Sequence, residues 1–421
     1  MNHVQFAMQF LLQIAVILLV CRIVGVLAAK LGQPQVVAEM VAGVLMGPSL
    51  LGLVLPDWQR SLFPDGTQSY LFPVAQLGLA LYMFVVGMEF RLDIMRERLK
   101  CSMAVSAAGM IAPFVLGAGL GYVFFEHTEL FPPQTSRMEA MLFLGASMCI
   151  TAFPMLARII QFKKLTGTAM GTVALGAGAI DDATAWCLLA IVLASFENDP
   201  GQAITNIGGG FVFVVVAIGV MRPLLKWMQT RLLVRDEALT EAGLVVGLVC
   251  MALGSWFTDS IGLHAVFGAF VMGAVMPRGI VTRDLVARIE PLTVALLVPL
   301  FFAYSGLNTQ IGLLNSMRLW ALSGLVLVAA VVGKGVACWW AARWTGLTNR
   351  EALGIGTLMN ARGMMGLIIL NIGLQRGLIT EGLFAILVIM AVVTTLMTSP
   401  IFDRLVGKTE SVPSRDAGGA F

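Results

Sequence analysis

Charged residues are scarce in this sequence. Asp, Glu, Lys and Arg make up 12% of the chain, whereas soluble domains contain roughly 25%. Hydrophobic residues make up 58%, and apolar runs of roughly 20 residues recur along the whole chain. The formal net charge is only +3 and the basic residues are spread over short loops, so a basic arm that binds nucleic acid is excluded. This composition is typical of an all-α polytopic membrane protein.

Metal-thiolate and redox motifs are also missing. The six cysteines stand singly, mostly inside apolar runs, and none of them forms a C-x-x-C pair. We interpret them as packing residues. No bound cofactor is therefore expected.

Thirteen apolar segments can be delimited, each ending at charged or turn residues. The ninth, residues 262–276, is short, so twelve spans stay possible. The pattern predicts about 13 transmembrane helices in one membrane domain, residues 1–405, followed by a short disordered cytoplasmic tail, residues 406–421, with no appended regulatory domain. The segments begin near Phe6, Val36, Tyr70, Met103, Met141, Thr168, Ile204, Leu239, Gly262, Leu292, Leu319, Leu353 and Leu383.

Basic residues alternate between the loops in a one-sided way. Of the 27 Lys and Arg residues, 20 lie in one alternate set of loops, 4 lie in the other set, and three lie within segments. Cytoplasmic loops carry the excess of positive charge. The alternation therefore supports thirteen segments and predicts an N-terminus outside and a C-terminus in the cytoplasm.

The sixth segment carries two adjacent acids, Asp181 and Asp182, about a dozen residues from either end of an otherwise uncharged run. Ionisable groups at bilayer depth are costly and mark functional sites. Neighbouring helical positions point about 100° apart, so one carboxylate can face an ion cavity while the other addresses another helix. The alternative is a purely structural role, in which hydroxyl or backbone groups donate hydrogen bonds to both carboxylates. Burying two adjacent acids for that role alone would cost much free energy. The pair predicts a site at which protons and cations compete.

Lys334 is a lone cation within the eleventh segment. Its expected partner is one of the two aspartates, because an ammonium beside a carboxylate lowers the cost of burying both. A lysine that reaches the cytoplasmic headgroups along its own stem is the alternative.

Segments 5 and 12 contain the sequences expected of broken helices. Residues 147–154 read SMCITAFP and residues 359–366 read MNARGMMG. An odd number of spans permits two six-segment halves of opposite orientation, and these two segments then occupy equivalent places. Ser147 and Thr151 supply hydroxyls for a small cation, Asn360 supplies an amide, and Arg362 can compensate the exposed carbonyl ends.

Glu39, in the second segment beside a glycine-rich stretch, is a weaker candidate. A structural hydrogen bond to a neighbouring helix and a role in transport both stay open for this residue.

Five motifs in order resemble the monovalent cation:proton antiporter family, in particular its second branch with bacterial thirteen-span Na+/H+ antiporters and the membrane domains of plant cation/H+ exchangers. The resemblance covers nearly the whole chain. The motifs are residues 34–48 (PQVVAEMVAGVLMGP), 77–93 (LGLALYMFVVGMEFRLD), 179–186 (AIDDATAW), Lys334, and 360–363 (NARG).

The resemblance implies a core near residues 103–195 and 319–402 and a dimerisation panel near residues 6–90 and 239–305. It further implies crossed broken helices, elevator-like alternating access and a homodimer in a bacterial inner membrane. Asp182 would be the main carboxylate for the monovalent cation and the proton, Asp181 the partner of Lys334, and Thr151 a ligand. With two acids the exchange would be electrogenic.

The sequence does not fix which monovalent cation is transported. Na+ ranks first and Li+ is possible, because two carboxylates favour small, strongly hydrated ions. A K+/H+ antiporter or K+ efflux system is the first alternative, and a sodium-coupled organic solute symporter is the second. An intramembrane protease is disfavoured, because every other Asp lies in or beside a loop.

Overall fold

The computed structural model describes residues 3–48, 50–64, 66, 68–89, 98–126, 130–197, 200–307 and 316–407. The predicted tail from Lys408 onward, and the loop with Arg91 and Arg96, lie outside these residues. The described helices are α1 (His3–Lys30), α2 (Gln35–Met46), α3 (Leu51–Val54), α4 (Pro56–Leu62), α5 (Gln68–Glu89), α6 (Leu99–Phe124), α7 (Arg137–Cys149), α8 (Phe153–Phe162), α9 (Ala169–Glu197), α10 (Pro200–Val216), α11 (Arg222–Met228), α12 (Glu241–Ser260), α13 (Ala265–Val275), α14 (Ile280–Leu292), α15 (Val298–Leu307), α16 (Met317–Trp344), α17 (Asn349–Leu358), α18 (Gly363–Gln375) and α19 (Glu381–Val406).

The predicted helical membrane architecture is confirmed. Within the described part of the chain, nine helical stretches are long and apolar enough to cross a bilayer. Predicted segments 5, 6, 9 and 12 correspond to α7 with α8, α9, the short α13, and α17 with α18. The exact number of thirteen spans stays a prediction. The nine stretches are Gln5–Lys30, Gln35–Val54, Ser69–Glu89, Leu99–Phe124, Gly208–Leu233, Glu241–Ser260, Ile280–Tyr304, Met317–Trp344 and Glu381–Val406.

The tenth segment begins earlier than predicted. Its helix starts at Ile280 and continues through a π-helical turn, Thr293–Leu297, into α15, whereas the apolar run begins near Leu292. The first turns carry charged residues such as Arg283, whose side chain is 69% exposed. Hydropathy detects the apolar part of a helix and misses a polar extension beyond the bilayer, so the predicted boundary was too late.

A small β-hairpin interrupts the helical chain between α11 and α12. Strands β1 (Val234–Arg235) and β2 (Ala238–Leu239) pair antiparallel around Asp236 and Glu237, which both have positive φ angles, as a type I′ turn requires. Asp284 of α14 accepts a hydrogen bond from the backbone N–H of Leu239 at 2.9 Å. This contact fixes the hairpin against α14.

The helices pack in two groups. Helices α1, α2, α5 and α12 to α15 contact one another, and so do helices α6 to α9 and α16 to α19. The division into panel and core, and the movement of these parts as separate bodies, stay predictions. Helix α2 touches both groups, since it also contacts α8 and α19.

Glycines bring backbones together inside each group. A Cβ on Gly87 of α5 would lie 2.2 Å from the carbonyl oxygen of Phe270, and one on Gly121 of α6 would lie 2.6 Å from that of Ala140. Both distances are far below van der Waals contact, so only glycine permits these approaches. In the second group the close contact presses α6 against α7, the first half of a broken helix.

Both predicted broken helices are interrupted in the structure. Helix α7 begins with a capping box formed by Ser136 and Glu139, and it ends at Cys149. The chain is then extended until α8 begins at Phe153. Helix α17 ends at Leu358 and α18 begins at Gly363, whose φ of +46° favours glycine.

Candidate functional site

The two breaks lie side by side. The backbone N–H of Ala152, in the first break, donates to the carbonyl of Ala361, in the second, at 3.0 Å. The Thr151 hydroxyl also approaches the carbonyl of Met359 at 3.4 Å. Two helix N-termini and two helix C-termini therefore meet inside the protein, and each end has a partial charge at a depth without bulk water.

Asp181 of α9 faces this crossing and is fully paired. Its Oδ1 accepts from the Ser106 hydroxyl at 2.6 Å, and its Oδ2 accepts from the Thr151 hydroxyl at 2.6 Å and from Lys334 Nζ at 3.1 Å. The side chains of Asp181 and Lys334 are both 0% exposed. Both oxygens of this buried carboxylate therefore have hydrogen-bond donors.

Asp182 differs from its neighbour because its carboxyl is only partly satisfied. It accepts a hydrogen bond from the backbone N–H of Phe153, the first residue of α8. Its Oδ1 is buried and has no hydrogen-bond partner among the described residues. The N-terminus of a helix favours a negative charge. Asp182 is thus a carboxyl with one oxygen available to a proton or a cation.

Two buried cations contact the C-terminal end of α7. Lys334 Nζ donates to the carbonyl of Cys149, and Arg362 donates through Nη1 to the carbonyl of Met148. Arg362 also donates through Nη2 to the carbonyl of Ala330 in α16 at 3.0 Å, and it is 1% exposed. The positive charges compensate carbonyls that the break leaves without helical partners.

The N-terminus of α18 is closed by a hydroxyl. Thr395 Oγ1 of α19 accepts from the backbone N–H groups of Arg362 and Gly363 at 3.3 and 3.2 Å. The N-terminus of α8 has no side-chain cap in its own sequence and faces Asp182 instead. The two half-helices are therefore not equivalent, and only α8 directs its free N–H groups to an acid.

Comparison with known proteins identifies the family. Residues 15–406 match the family model "Sodium/hydrogen exchanger, transmembrane". The chain belongs to the sodium/hydrogen exchanger family. It is accordingly a multi-pass integral membrane protein and a cation/proton antiporter, not an enzyme, and it transports monovalent cations and protons. The predicted family resemblance is confirmed.

Individual relatives agree with this assignment. The chain is 39% identical over 403 residues to the Na(+)/H(+) antiporter NhaS4 of Synechocystis, covering 94% of this chain and 96% of that protein. It is 37% identical over 410 residues to cation/H(+) antiporter 20 of Arabidopsis thaliana, covering 95% of this chain but 49% of the relative, so it spans about half of that plant protein.

A solved structure shares the fold of this exchanger. The sodium proton antiporter MjNhaP1 of Methanocaldococcus jannaschii superposes with a TM-score of 0.66 at 14% identity, over 95% of this chain and 98% of that one. At this identity the likeness concerns the fold alone.

The exchanger brings together some of the predicted site residues and separates others. Asp181, Thr151 and Lys334 are in contact, with Asp182 beside them and Arg362 at the end of α7. The hydroxyl of Ser147 donates to Phe143 O at 2.8 Å within its own helix. The amide of Asn360 likewise donates to Gly356 O at 3.0 Å. Neither side chain contacts the acidic pair, and their roles as ligands stay predictions.

Two partners of the exchanger site were missed by the sequence analysis. Ser106 and Thr395 each share a long apolar helix with other hydroxyl residues, and such residues commonly bond to the backbone one turn earlier. Nothing in the local sequence distinguishes Ser106 from Ser102, whose hydroxyl contacts Val173 O at 3.3 Å.

Proposed function

We propose that this exchanger trades Na+ for protons at Asp182. The observation that carries the proposal is the contrast between the two adjacent acids. Among the described residues Asp181 has three donors, whereas Asp182, 5% exposed at the N-terminus of α8, has one buried oxygen without a partner. A buried carboxylate with an unpartnered oxygen is stabilised when it binds either a proton or a small cation, so the two compete for it.

Lys334 is the second group of the site that can release a proton, beside Asp182. It is bonded to Asp181 and to the carbonyl end of α7. When a cation binds at Asp182, its positive charge weakens the hold of the site on the lysine proton. Loss of that proton would make the exchange electrogenic, with more than one proton leaving for each cation that binds.

The packing supports alternating access by an elevator-like movement. Both broken helices and the acidic pair lie in one helical group, and the backbone bond between Ala152 and Ala361 joins the two breaks within it. The core can carry the site as a unit past the panel, and the panel would form the interface of a homodimer. We further propose a bacterial inner membrane with the N-terminus outside and the C-terminus inside, an orientation that the alternation of basic residues between the loops supports.

Na+ is the first choice of ion because two adjacent carboxylates favour a small, strongly hydrated cation. The relative NhaS4 is named for Na+/H+ exchange. K+ and Li+ differ from Na+ mainly in radius and ligand number, and the vesicle experiment compares all three.

The test uses everted membrane vesicles with a respiratory proton gradient. Addition of NaCl, without any organic solute, is expected to dissipate the gradient, LiCl less so and KCl least. Asp182→Asn is expected to give the response of vesicles without the exchanger. Asp57→Asn, which changes an exposed acid of α4, serves as the matched control and keeps full exchange.

Three results would overturn the proposal or its choice of ion. Full exchange by Asp182→Asn would show that this carboxyl is not the site. A gradient that no alkali cation dissipates, in vesicles that contain the folded protein, would exclude the exchange, and a response only to KCl would refute the choice of Na+.

A further inference from the structure

Glu39 is a buried acid of the membrane domain that the site at Asp182 does not use. It lies in α2 and is 3% exposed. Its Oε1 accepts from the Gln35 side chain at 3.1 Å, one turn earlier in the same helix. Its Oε2 has no hydrogen-bond partner among the described residues. The sequence analysis left open a structural hydrogen bond from Glu39 to a neighbouring helix. The contacts among the described residues include no such bond, so a structural role of this kind does not account for the buried acid.

Two cavities meet at Glu39. One has a volume of about 530 Å³ and runs between α1, α2 and α14, and the other has about 260 Å³ and runs between α2, α5 and α8. Gln35, Glu39 and Val294 line both. We call the wall that these three residues share the junction. A carboxylate in this wall can contact a cation in either cavity.

The arginines in these walls do not neutralise Glu39 directly. Arg158 of the smaller cavity is paired with Glu290 at 3.1 Å and donates to the hydroxyl of Tyr82, also at 3.1 Å. Arg22 lines the larger cavity, and the described residues include no ion pair within 4.0 Å between it and Glu39. The walls of the two cavities carry two arginines and two glutamates, and within the described residues Glu39 is the glutamate that neither arginine pairs with.

The smaller cavity shares a helix with the candidate cation site. Helix α8 begins at Phe153, which contacts Asp182, and its later residues Arg158, Gln161 and Phe162 line the cavity. Five residues of helix separate Phe153 from Arg158, which is about 7.5 Å. Along α8 these cavity residues lie between Phe153 and the basic loop with Lys163 and Lys164, which the alternation of charged loops predicts to face the cytoplasm.

We infer that Glu39 and Gln35 form a loading site for a hydrated monovalent cation on the path to Asp182. The inference rests on the exchange proposed above. A volume of about 260 Å³ holds on the order of eight waters at about 30 Å³ each, so the ion keeps most of its hydration shell there. The carboxylate raises the local cation concentration, the Gln35 amide orients the carboxylate, and Asp182 performs the exchange.

Glu39→Gln tests the inference, because it removes the charge and keeps the size. A charged cleft with apolar walls raises the local concentration of counter-ions about tenfold or more. We therefore expect the KM for Na+ to rise about tenfold when Na+ is added from the positive-loop side, with the maximal rate within about twofold of wild type. In right-side-out vesicles, where Na+ reaches the opposite face, the KM is expected to stay unchanged.

Three further variants separate an electrostatic role from a structural one. Glu39→Asp keeps the charge and is expected to keep the KM within about threefold of wild type. Arg22→Gln removes a positive charge from the same cavity and is expected to lower the KM or leave it unchanged. Val294→Lys adds a positive charge beside Glu39 and is expected to raise the KM from the positive-loop side, which gives an independent test if Glu39→Gln folds poorly.

The results distinguish this inference from the proposed function. An unchanged KM in Glu39→Gln, or a rise of equal size from both faces, would overturn the loading site while Na+/H+ exchange by the wild type stands. Loss of exchange in Asp182→Asn tests the proposed exchange site at Asp182 and does not test the loading site at Glu39. A fall in maximal rate without a change in KM would also overturn the inference.

Discussion

The ion pair between Lys334 and Asp181 allows a quantitative test. Both side chains are 0% exposed, and the Nζ to Oδ2 distance is 3.1 Å. At an effective dielectric constant of about 20, the attraction is about 5 kcal/mol. Removing one partner of a buried pair leaves an uncompensated charge and costs about 3–5 kcal/mol, whereas replacing both partners by neutral groups costs far less.

A double-mutant cycle measures this coupling. The variants are Lys334→Met, Asp181→Asn and the double variant, and their apparent melting temperatures are compared in detergent. For a chain of this length about 1 kcal/mol corresponds to roughly 1–2 °C, so each single variant is expected to melt about 5 °C below wild type. The double variant is expected to melt above at least one single variant, with a coupling of about 2 kcal/mol or more.

The same chain offers a control pair. Lys163 and Asp403 are 2.7 Å apart near the C-terminal ends of α8 and α19, but their side chains are 8% and 27% exposed. Because water screens that pair, its cycle is expected to give about 1 kcal/mol or less. The reasoning about the buried pair would be refuted if the single variants at Lys334 and Asp181 melted at the wild-type temperature. It would also be refuted if the melting temperature of the double variant fell by the sum of the two single decreases.

Two other predictions follow from contacts of α6. Ser106→Ala removes one of three donors to Asp181, a charge-assisted bond of about 1.5–3 kcal/mol, so the exchange rate in vesicles is expected to fall about tenfold, while Ser102→Ala stays within about twofold. Equal rates in the two variants would contradict this. Gly121→Val places a Cβ 2.6 Å from the Ala140 carbonyl oxygen and is expected to abolish the monodisperse peak in size-exclusion chromatography. Gly119→Val, whose Cβ meets nothing within 4 Å, is expected to elute like wild type, and a normal elution of Gly121→Val would disprove the close approach.

The sequence by itself identified the chemistry-bearing residues because charge inside a bilayer is costly wherever it occurs. Asp181, Asp182, Lys334 and Arg362 stand out in apolar segments without any knowledge of their partners. A different argument located both interruptions, since SMCITAFP and MNARGMMG contain the polar residues, proline or glycines expected of broken helices and lie in equivalent segments. The helical period also showed that two adjacent acids must face different surroundings.

Local hydrogen bonding concerns two of the predicted cation ligands. Ser147 and Asn360 were predicted as ligands because they are polar and lie at the breaks. In the structure both donate to the carbonyl four residues earlier, and their roles as ligands stay predictions. A sequence does not show whether a short polar side chain bonds back to its helix or reaches across a cavity.

The sequence predicted that Lys334 meets one of the two aspartates, but only the tertiary structure decided the distance between them and which other groups join them. Lys334 lies 153 positions from Asp181, and Ser106 lies 75 positions from it. Thr395 caps a helix that begins 32 positions earlier. The cost of burying a charge is a property of one residue and its segment, so it is readable from the sequence. The relief of that cost depends on distances of about 3 Å between distant segments, and helix packing alone sets those distances.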